Sequence, residues 1–236
     1  MDLSKLKEWG DDALNVVFPM QCEVCGKALT RGERVLCLYC DVDMPRTRLH
    51  VDEFNVLHQR LAGKAPIDKA TGYFYYYRDS DYAKMIQRAK YNGRPKIVEI
   101  LAQRYVSELN EDSFFEDIDL IEPVPMHWLK KIRRGYNQSE EIARAISKVT
   151  GIKLGRHIVT SQRRSTQTRK GRFERWLNAR NAYNVINADE LSGRHVLVVD
   201  DIITTGATML ACCEAIHEVS PTSRISVLSL GVTHLQ

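Results

Sequence analysis

Two adjacent carboxylates interrupt the stretch VLVVDDIITTGATM, residues 196 to 209. Four aliphatic residues in a row belong in a buried strand, and here they run into Asp200 and Asp201 and then a Thr-Thr-Gly turn. Parallel sheets bind ligands at the carboxyl ends of their strands. Ionised acids are costly inside a sheet, so the pair is expected to face a crevice. Thr204, Thr205, Gly206, Ala207 and Thr208 supply what an anion needs: backbone N–H groups at a helix start, a glycine that permits close approach, and hydroxyl donors. A phosphate belongs on that turn. Two carboxylates a few residues away suit neighbouring hydroxyls such as those of a ribose, and could help organise Mg²⁺, which takes one or two carboxylates plus substrate oxygens.

Two other readings of the stretch compete. An apolar run ending in two acids also resembles the acidic strand of a P-loop NTPase, but that reading needs GxxxxGK[ST], which the chain lacks. A strand-to-helix turn with a capping Asp needs only one acid and no TTGxT.

A second constellation lies near the N-terminus. Cys22 and Cys25 form one CxxC pair and Cys37 and Cys40 another, with eleven residues between the pairs. Each knuckle can place two thiolates on one ion, so the four cysteines predict a structural Zn²⁺ site around a small hairpin. Such a module has too little apolar area to fold unaided, and the metal would stabilise it. A redox CxxC fits less well, because no thioredoxin-like βαβ pattern follows either pair. Cys212 and Cys213 sit in an apolar helical segment and read as small core residues.

These groups need a scaffold. The 236 residues, 44% of them hydrophobic, can bury a full core plus a smaller appendage. No window approaches a membrane span and the N-terminus lacks a signal-peptide core, so the expected location is cytoplasmic, without membrane insertion. The formal charge of +4 is too small to argue nucleic-acid binding by itself. Its distribution is uneven: HWLKKIRR spans 127 to 134, and 160 to 180 contains Glu174 as its single acid. Apolar spacing predicts an amphipathic helix over 3 to 18, and residues 41 to 70 read as a linker carrying His50 and His58. TGYFYYYRDS has strand composition, its aromatic residues reading as core rather than as a base-stacking platform. Helical patterns follow from Asp81, break at YNGRP (91 to 95) and resume. IDLIEPVP, RHVLVVD and RISVLSLGV read as buried strands, alternating with helices in NQSEEIARAISKVTG and TMLACCEAIHEVS. Strand–helix alternation means crossover units and a parallel sheet. The expected architecture is α/β: a zinc module and N-terminal helix over 1 to 65, then a parallel sheet with flanking helices over 66 to 236.

The stretch VLVVDDIITTGATM resembles the motif by which type I phosphoribosyltransferases bind 5-phosphoribosyl-1-pyrophosphate (PRPP). FPMQCEVC, AKYNGRPKIVEILA, PVPMHWLKKIRRGYNQSEEIA and QTRKGRFERWLNARNAY resemble, in that order, segments of the ComF/GntX group. Gln167, Arg175, Asn178 and the Ala182-Tyr183 pair keep that group's spacing, whereas Lys170 stands where the group more often has Leu. The resemblance implies that Asp200 and Asp201, the catalytic acids, hold the ribose hydroxyls and Thr204 to Thr208 the 5′-phosphate. It makes 126 to 135 the pyrophosphate loop, with Arg133 and Arg134 as contacts and Gly135 relieving the backbone. It makes 160 to 180 a flexible loop, carrying Arg163, Arg164, Gln167 and Arg175, that closes over the ligand. Closing a cationic flap on an anionic ligand excludes water and strengthens each charge interaction.

The implied activity is phosphoribosyl transfer from PRPP with Mg²⁺ and release of pyrophosphate, the acceptor being left open. Lys90 and Tyr91 are weak candidates for the acceptor side, and His127, alone beside a loop, reads as structural. The same resemblance implies a role in DNA uptake during natural transformation, beside a helicase and with single-stranded DNA as partner. On that alternative the PRPP pocket is a sensor or relic, and the basic loop meets a phosphate backbone. A third reading, a zinc-ribbon adaptor with an inert sheet domain, predicts that neither ligand binds.

Overall fold

The computed structural model describes residues 20–63, 65–160 and 182–234. The helix expected over 3 to 18 and the loop residues Arg163, Arg164, Gln167 and Arg175 lie outside the described residues.

In chain order the elements are helices α1 (Leu38–Val42) and α2 (Val56–Ala62), strand β1 (Ile67–Tyr75), helices α3 (Asp81–Tyr91) and α4 (Pro95–Glu111), and strand β2 (Leu120–Pro123). Helices α5 (Trp128–Arg134) and α6 (Gln138–Thr150) follow, then strands β3 (Lys153–Leu154), β4 (Ile158–Thr160), β5 (Tyr183–Val185) and β6 (His195–Ile203), helix α7 (Ala207–Val219) and strand β7 (Arg224–Val232). Five strands make a parallel sheet in the order β1-β7-β6-β2-β3, and β4 pairs antiparallel with β5.

The apolar runs of β6 and β7 fit this sheet because both of its faces are covered. Leu197 and Val199 of β6 enter one core, shared with α3, α4 and α6. Val196 and Val198 enter the other, shared with α2 and α7. The crossover from β2 through α6 leads outward to β3, whereas that from β6 through α7 leads the opposite way to β7. Chain direction therefore reverses between β2 and β6, and such a switch opens a crevice at the strands' carboxyl ends.

Local sequence sets the helix ends. The Ser80 hydroxyl accepts the Ala83 N–H at 3.1 Å to start α3, Pro95 opens α4, and Gly151, at φ +77°, ends α6 as read from sequence.

Residues 41 to 70 are not a linker. They hold α2, whose Leu57 and Leu61 are fully buried against the sheet, and the buried His58 places Nε2 3.0 Å from Ile67 O. His50 Nε2 lies 3.1 Å from Asp112 Oδ2. The hydrophobic anchors there are few and widely spaced, so periodicity missed the short helix. Tyr73 is buried and stacked on Tyr105 with ring centroids 4.7 Å apart, as expected of a core strand.

Candidate functional site

Asp200 and Asp201 lie in the last part of β6, at the β2/β6 switch. Asp200 Oδ1 accepts two bonds at 2.8 Å, from Ser139 Oγ in the first turn of α6 and from the Asp201 N–H. Asp201 Oδ2 is 2.7 Å from Lys90 Nζ at the end of α3, and both side chains of that pair are largely shielded from solvent. Burial, then the neighbouring Asp201 carboxylate, push the Asp200 pKa up to about 7, against the opposing pull of Ser139, the Asp201 N–H and Lys90. The two acids meet different partners although α3 and α6 pack on the same face of the sheet.

The turn after β6 places Thr204 and Thr205 in solvent and Gly206, at φ +79°, at the N-cap of α7. A Cβ on Gly206 would also stand 2.7 Å from Leu61 Cδ2, so α2 packs directly beneath the turn. Ala207 N–H donates weakly to Thr205 Oγ1 at 3.4 Å, and Thr208 is exposed. The positive end of α7 and three threonine hydroxyls thus face outward beside the acid pair.

The segment read as a pyrophosphate loop is in fact largely helix α5. His127 Nδ1 accepts the Leu129 N–H at 3.3 Å to start it, and Gly135, at φ +83°, ends it. None of its residues is buried. Arg133 is exposed; Arg134 is half-buried, its guanidinium 5.2 Å from the centroid of the Tyr91 ring and 3.3 Å from Gln138 Oε1. Lys131 pairs with Glu140 at 2.9 Å. Tyr136 Oη donates to Ala89 O, fastening the end of α3 to the turn after α5. The structure therefore brings Asp200, Asp201, the Thr204–Thr208 turn and the Arg133–Gly135 segment to one edge of the sheet. On the same edge, Tyr76, Tyr77, Arg78, Asp79, Ser80, Thr233 and His234 line a cavity of about 450 Å³, and Thr233 Oγ1 donates to Thr204 O at 3.2 Å.

Sequence reasoning missed Ser139, an unremarkable helix-start serine, and gave Lys90 no role on the acids. It also missed Glu122, although an acid inside an apolar strand was a visible signal. Glu122 is fully buried, accepts the His157 N–H at 3.0 Å and pairs with His157 Nδ1. Burial raises its pKa, and Gly155 leaves the room its carboxylate needs, since a Cβ there would overlap Oε1. The Asp68, Asp117 and His195 cluster occupies the opposite sheet edge, where Arg224 reaches both carboxylates at 2.6 and 2.9 Å. That cation makes the cluster a structural tie.

Near the N-terminus, the ligating atoms of Cys22, Cys25, Cys37 and Cys40 all lie within 4.8 Å of one another, and the four could hold a metal ion. Burial opposes ionisation of Cys22, but the backbone N–H groups of Cys25, Cys37 and Val24 outweigh it and bring the thiol down to about 7. Burial and the other three sulfurs push Cys40 up. Crowded thiolates with N–H donors behind them are the donor set a divalent ion resolves. Cys212 and Cys213 are fully buried core residues.

The phosphoribosyl transferase domain family matches residues 99–234. The chain is 28% identical over 196 residues to DNA utilization protein YhgH of Escherichia coli (strain K12), covering 80% of each. It is 30% identical over 158 residues to Competence protein F of Haemophilus influenzae (strain ATCC 51907 / DSM 11121 / KW20 / Rd), covering 64% of each. Among solved structures, adenine phosphoribosyltransferase from Saccharomyces cerevisiae aligns over 59% of this chain and 72% of its own, at 16% identity and a TM-score of 0.36. Among the described residues no helix is long and apolar enough to cross a membrane.

Two outcomes are expected. Elemental analysis of purified protein should give about one zinc per chain. Cys37→Ser should lower both zinc content and melting temperature, whereas Cys212→Ser should leave zinc unchanged. The raised Asp200 pKa means that its proton stabilises the folded chain fully below the ordinary value of 3.8, an effect lost as pH rises through about 7. Urea titrations of ligand-free protein should therefore show stability falling across that window, and Asp200→Asn should flatten the fall.

Proposed function

The chain belongs to the phosphoribosyl transferase domain family as a ComF-type member, and from that premise we propose that it binds PRPP and transfers its phosphoribosyl group, releasing pyrophosphate. The observation that carries this reading is the convergence, at one sheet switch point, of an acid pair, a glycine-capped helix N-terminus and an arginine-bearing helix. Each suits one part of the ligand. The 5′-phosphate sits on the Thr204–Thr208 turn, where amides and hydroxyls donate to it. Asp200 and Asp201 accept from the ribose hydroxyls. Arg133 and Arg134 face the pyrophosphate.

In the reaction an acceptor atom bonds to the anomeric carbon while the bond from that carbon to pyrophosphate breaks, the electron pair leaving with the diphosphate. Positive charge grows on the sugar and negative charge on the leaving group. The acid pair favours the first and the arginines the second, each more strongly as water is excluded. Asp200 and Asp201 are the hard oxygen donors that would hold Mg²⁺ at the corner, where the ion would supply neutralisation of the leaving group's charge. The cavity at Tyr76–Ser80 and His234 is the acceptor side, close enough to share the Thr204–Thr233 bond.

A second reading, single-stranded DNA binding beside a competence helicase without catalysis, draws on α5 and on the relatives' names. Trp128, Leu129 and Ile132 are exposed on a helix that also carries Lys130 and Arg133, an aromatic and cationic surface suited to a single strand.

A thermal-shift titration with PRPP and Mg²⁺ tests the first reading. At about a hundredfold excess over the dissociation constant the ligand adds roughly 2.7 kcal/mol, a rise of about 5–10 °C for a chain of this size. Asp200→Asn/Asp201→Asn should abolish the rise while retaining the native circular dichroism; a double variant that bound PRPP normally would overturn the site. For the second reading, an oligonucleotide titration should show affinity falling steeply with salt, at about −0.7 in log–log slope per phosphate contacted, and surviving the double substitution. Salt-independent binding, or none, would remove it.

A further inference from the structure

The last turn of α3 touches the site at three successive residues. Ala89 O accepts from Tyr136 Oη, Lys90 Nζ meets Asp201 Oδ2 at 2.7 Å, and the Tyr91 ring lies under the Arg134 guanidinium. Lys90 therefore stands between the acid corner and the segment that faces the pyrophosphate, and it precedes the stretch that matches the family, residues 99–234.

We propose that Lys90 is a partner-switching cation: it neutralises Asp201 while the corner is empty and carries its charge to the pyrophosphate of an incoming phosphoribosyl diphosphate, leaving Asp201 to the sugar hydroxyls. The inference rests on the PRPP reading above. Its physical basis is shielding. The side chains of Lys90 and Asp201 are only 18% and 13% exposed, so neither charge can be left unpaired without a large penalty. Asp200 is already engaged by Ser139 Oγ and the Asp201 N–H, so Asp201 is the acid whose charged partner the sugar must displace. Hydroxyls alone give Lys90 no replacement anion. A ligand bearing hydroxyls and a diphosphate on one carbon frame does, and the exchange then ends with both shielded charges satisfied. The corner thereby discriminates a sugar diphosphate from a sugar that lacks one.

The test compares PRPP with ribose 5-phosphate on full-length wild-type protein and Lys90→Met, by calorimetry at one pH and one Mg²⁺ concentration. Met keeps the length of the stem and removes the charge. Loss of one charge-assisted contact should weaken PRPP about 10–100-fold. Ribose 5-phosphate should hold its affinity or tighten, because Asp201 no longer has to be released. Lys90→Arg, which retains the charge, should recover part of the PRPP loss. Equal weakening of both ligands would mean a structural tie and would overturn the switch, as would unchanged PRPP affinity in Lys90→Met. Wild-type protein that bound neither ligand would instead remove the PRPP reading, and the switch with it.

Discussion

Burial first, and the mutual repulsion of neighbouring carboxylates second, oppose ionisation of the two acids at the end of β6. That cost is the constraint around which the carboxyl edge of this sheet is arranged. Two different helices on one face of the sheet satisfy the two acids. Ser139 reaches Asp200 from α6, and Lys90 reaches Asp201 from α3. Burial, then the neighbouring Asp201 carboxylate, still push the Asp200 pKa up to about 7 against the pull of both donors. A ligand rich in hydroxyls beside its phosphates relieves this situation, whereas an ordinary anion worsens it.

The N-terminal module contributes through α3. Tyr82 Oη in the first turn of that helix donates to Cys40 O at 2.7 Å, and Arg88, one turn from its end, bonds Glu23 O and approaches the Glu23 carboxylate. Arg104 of α4 pairs with Asp41 at 2.8 Å, tying the neighbouring helix to the same module. The four cysteines thus organise the surface on which α3 is seated, and Lys90 lies two residues beyond Arg88. The cysteine cluster and the acid corner are far apart in sequence but joined by one helix, α3. Loosening the knuckles would be felt at α3 and also in the core on that face of the sheet, which includes Cys22, Leu36, Cys37, Cys40 and Met44 beside Leu197 and Val199.

Much of this was legible from residue order because several signals agreed. For β6 and α7, an apolar run, paired acids, a glycine needing positive φ and a second apolar segment all specify strand, turn and helix. The cysteine spacing was equally direct. What stayed hidden depends on contacts remote in sequence. Lys90 looks like any lysine in the last turn of a helix, where a cation is favoured by the dipole alone. Glu122 and His157 explain each other only after folding, 35 positions apart. The resemblance makes 126 to 135 a loop, and helix α5 gives no contrary signal because its apolar residues, Trp128, Leu129 and Ile132, bury no face that periodicity could report.

The character of α5 matters for chemistry. At seven residues it is too short to persist on propensity, since helices below about 12 residues are marginal in water. It is held by a histidine cap, by Gly135 at its end, and by the contacts of Lys131 with Glu140 and Arg134 with Tyr91. Each of these is polar and partly exposed, and so is weaker than the packing that fixes β6. The acid pair is therefore built on the packed sheet, and the two arginines on a short helix held by weaker contacts. On the proposed reading, that division would set the sugar hydroxyls against the packed sheet edge and the departing diphosphate against the more weakly held helix.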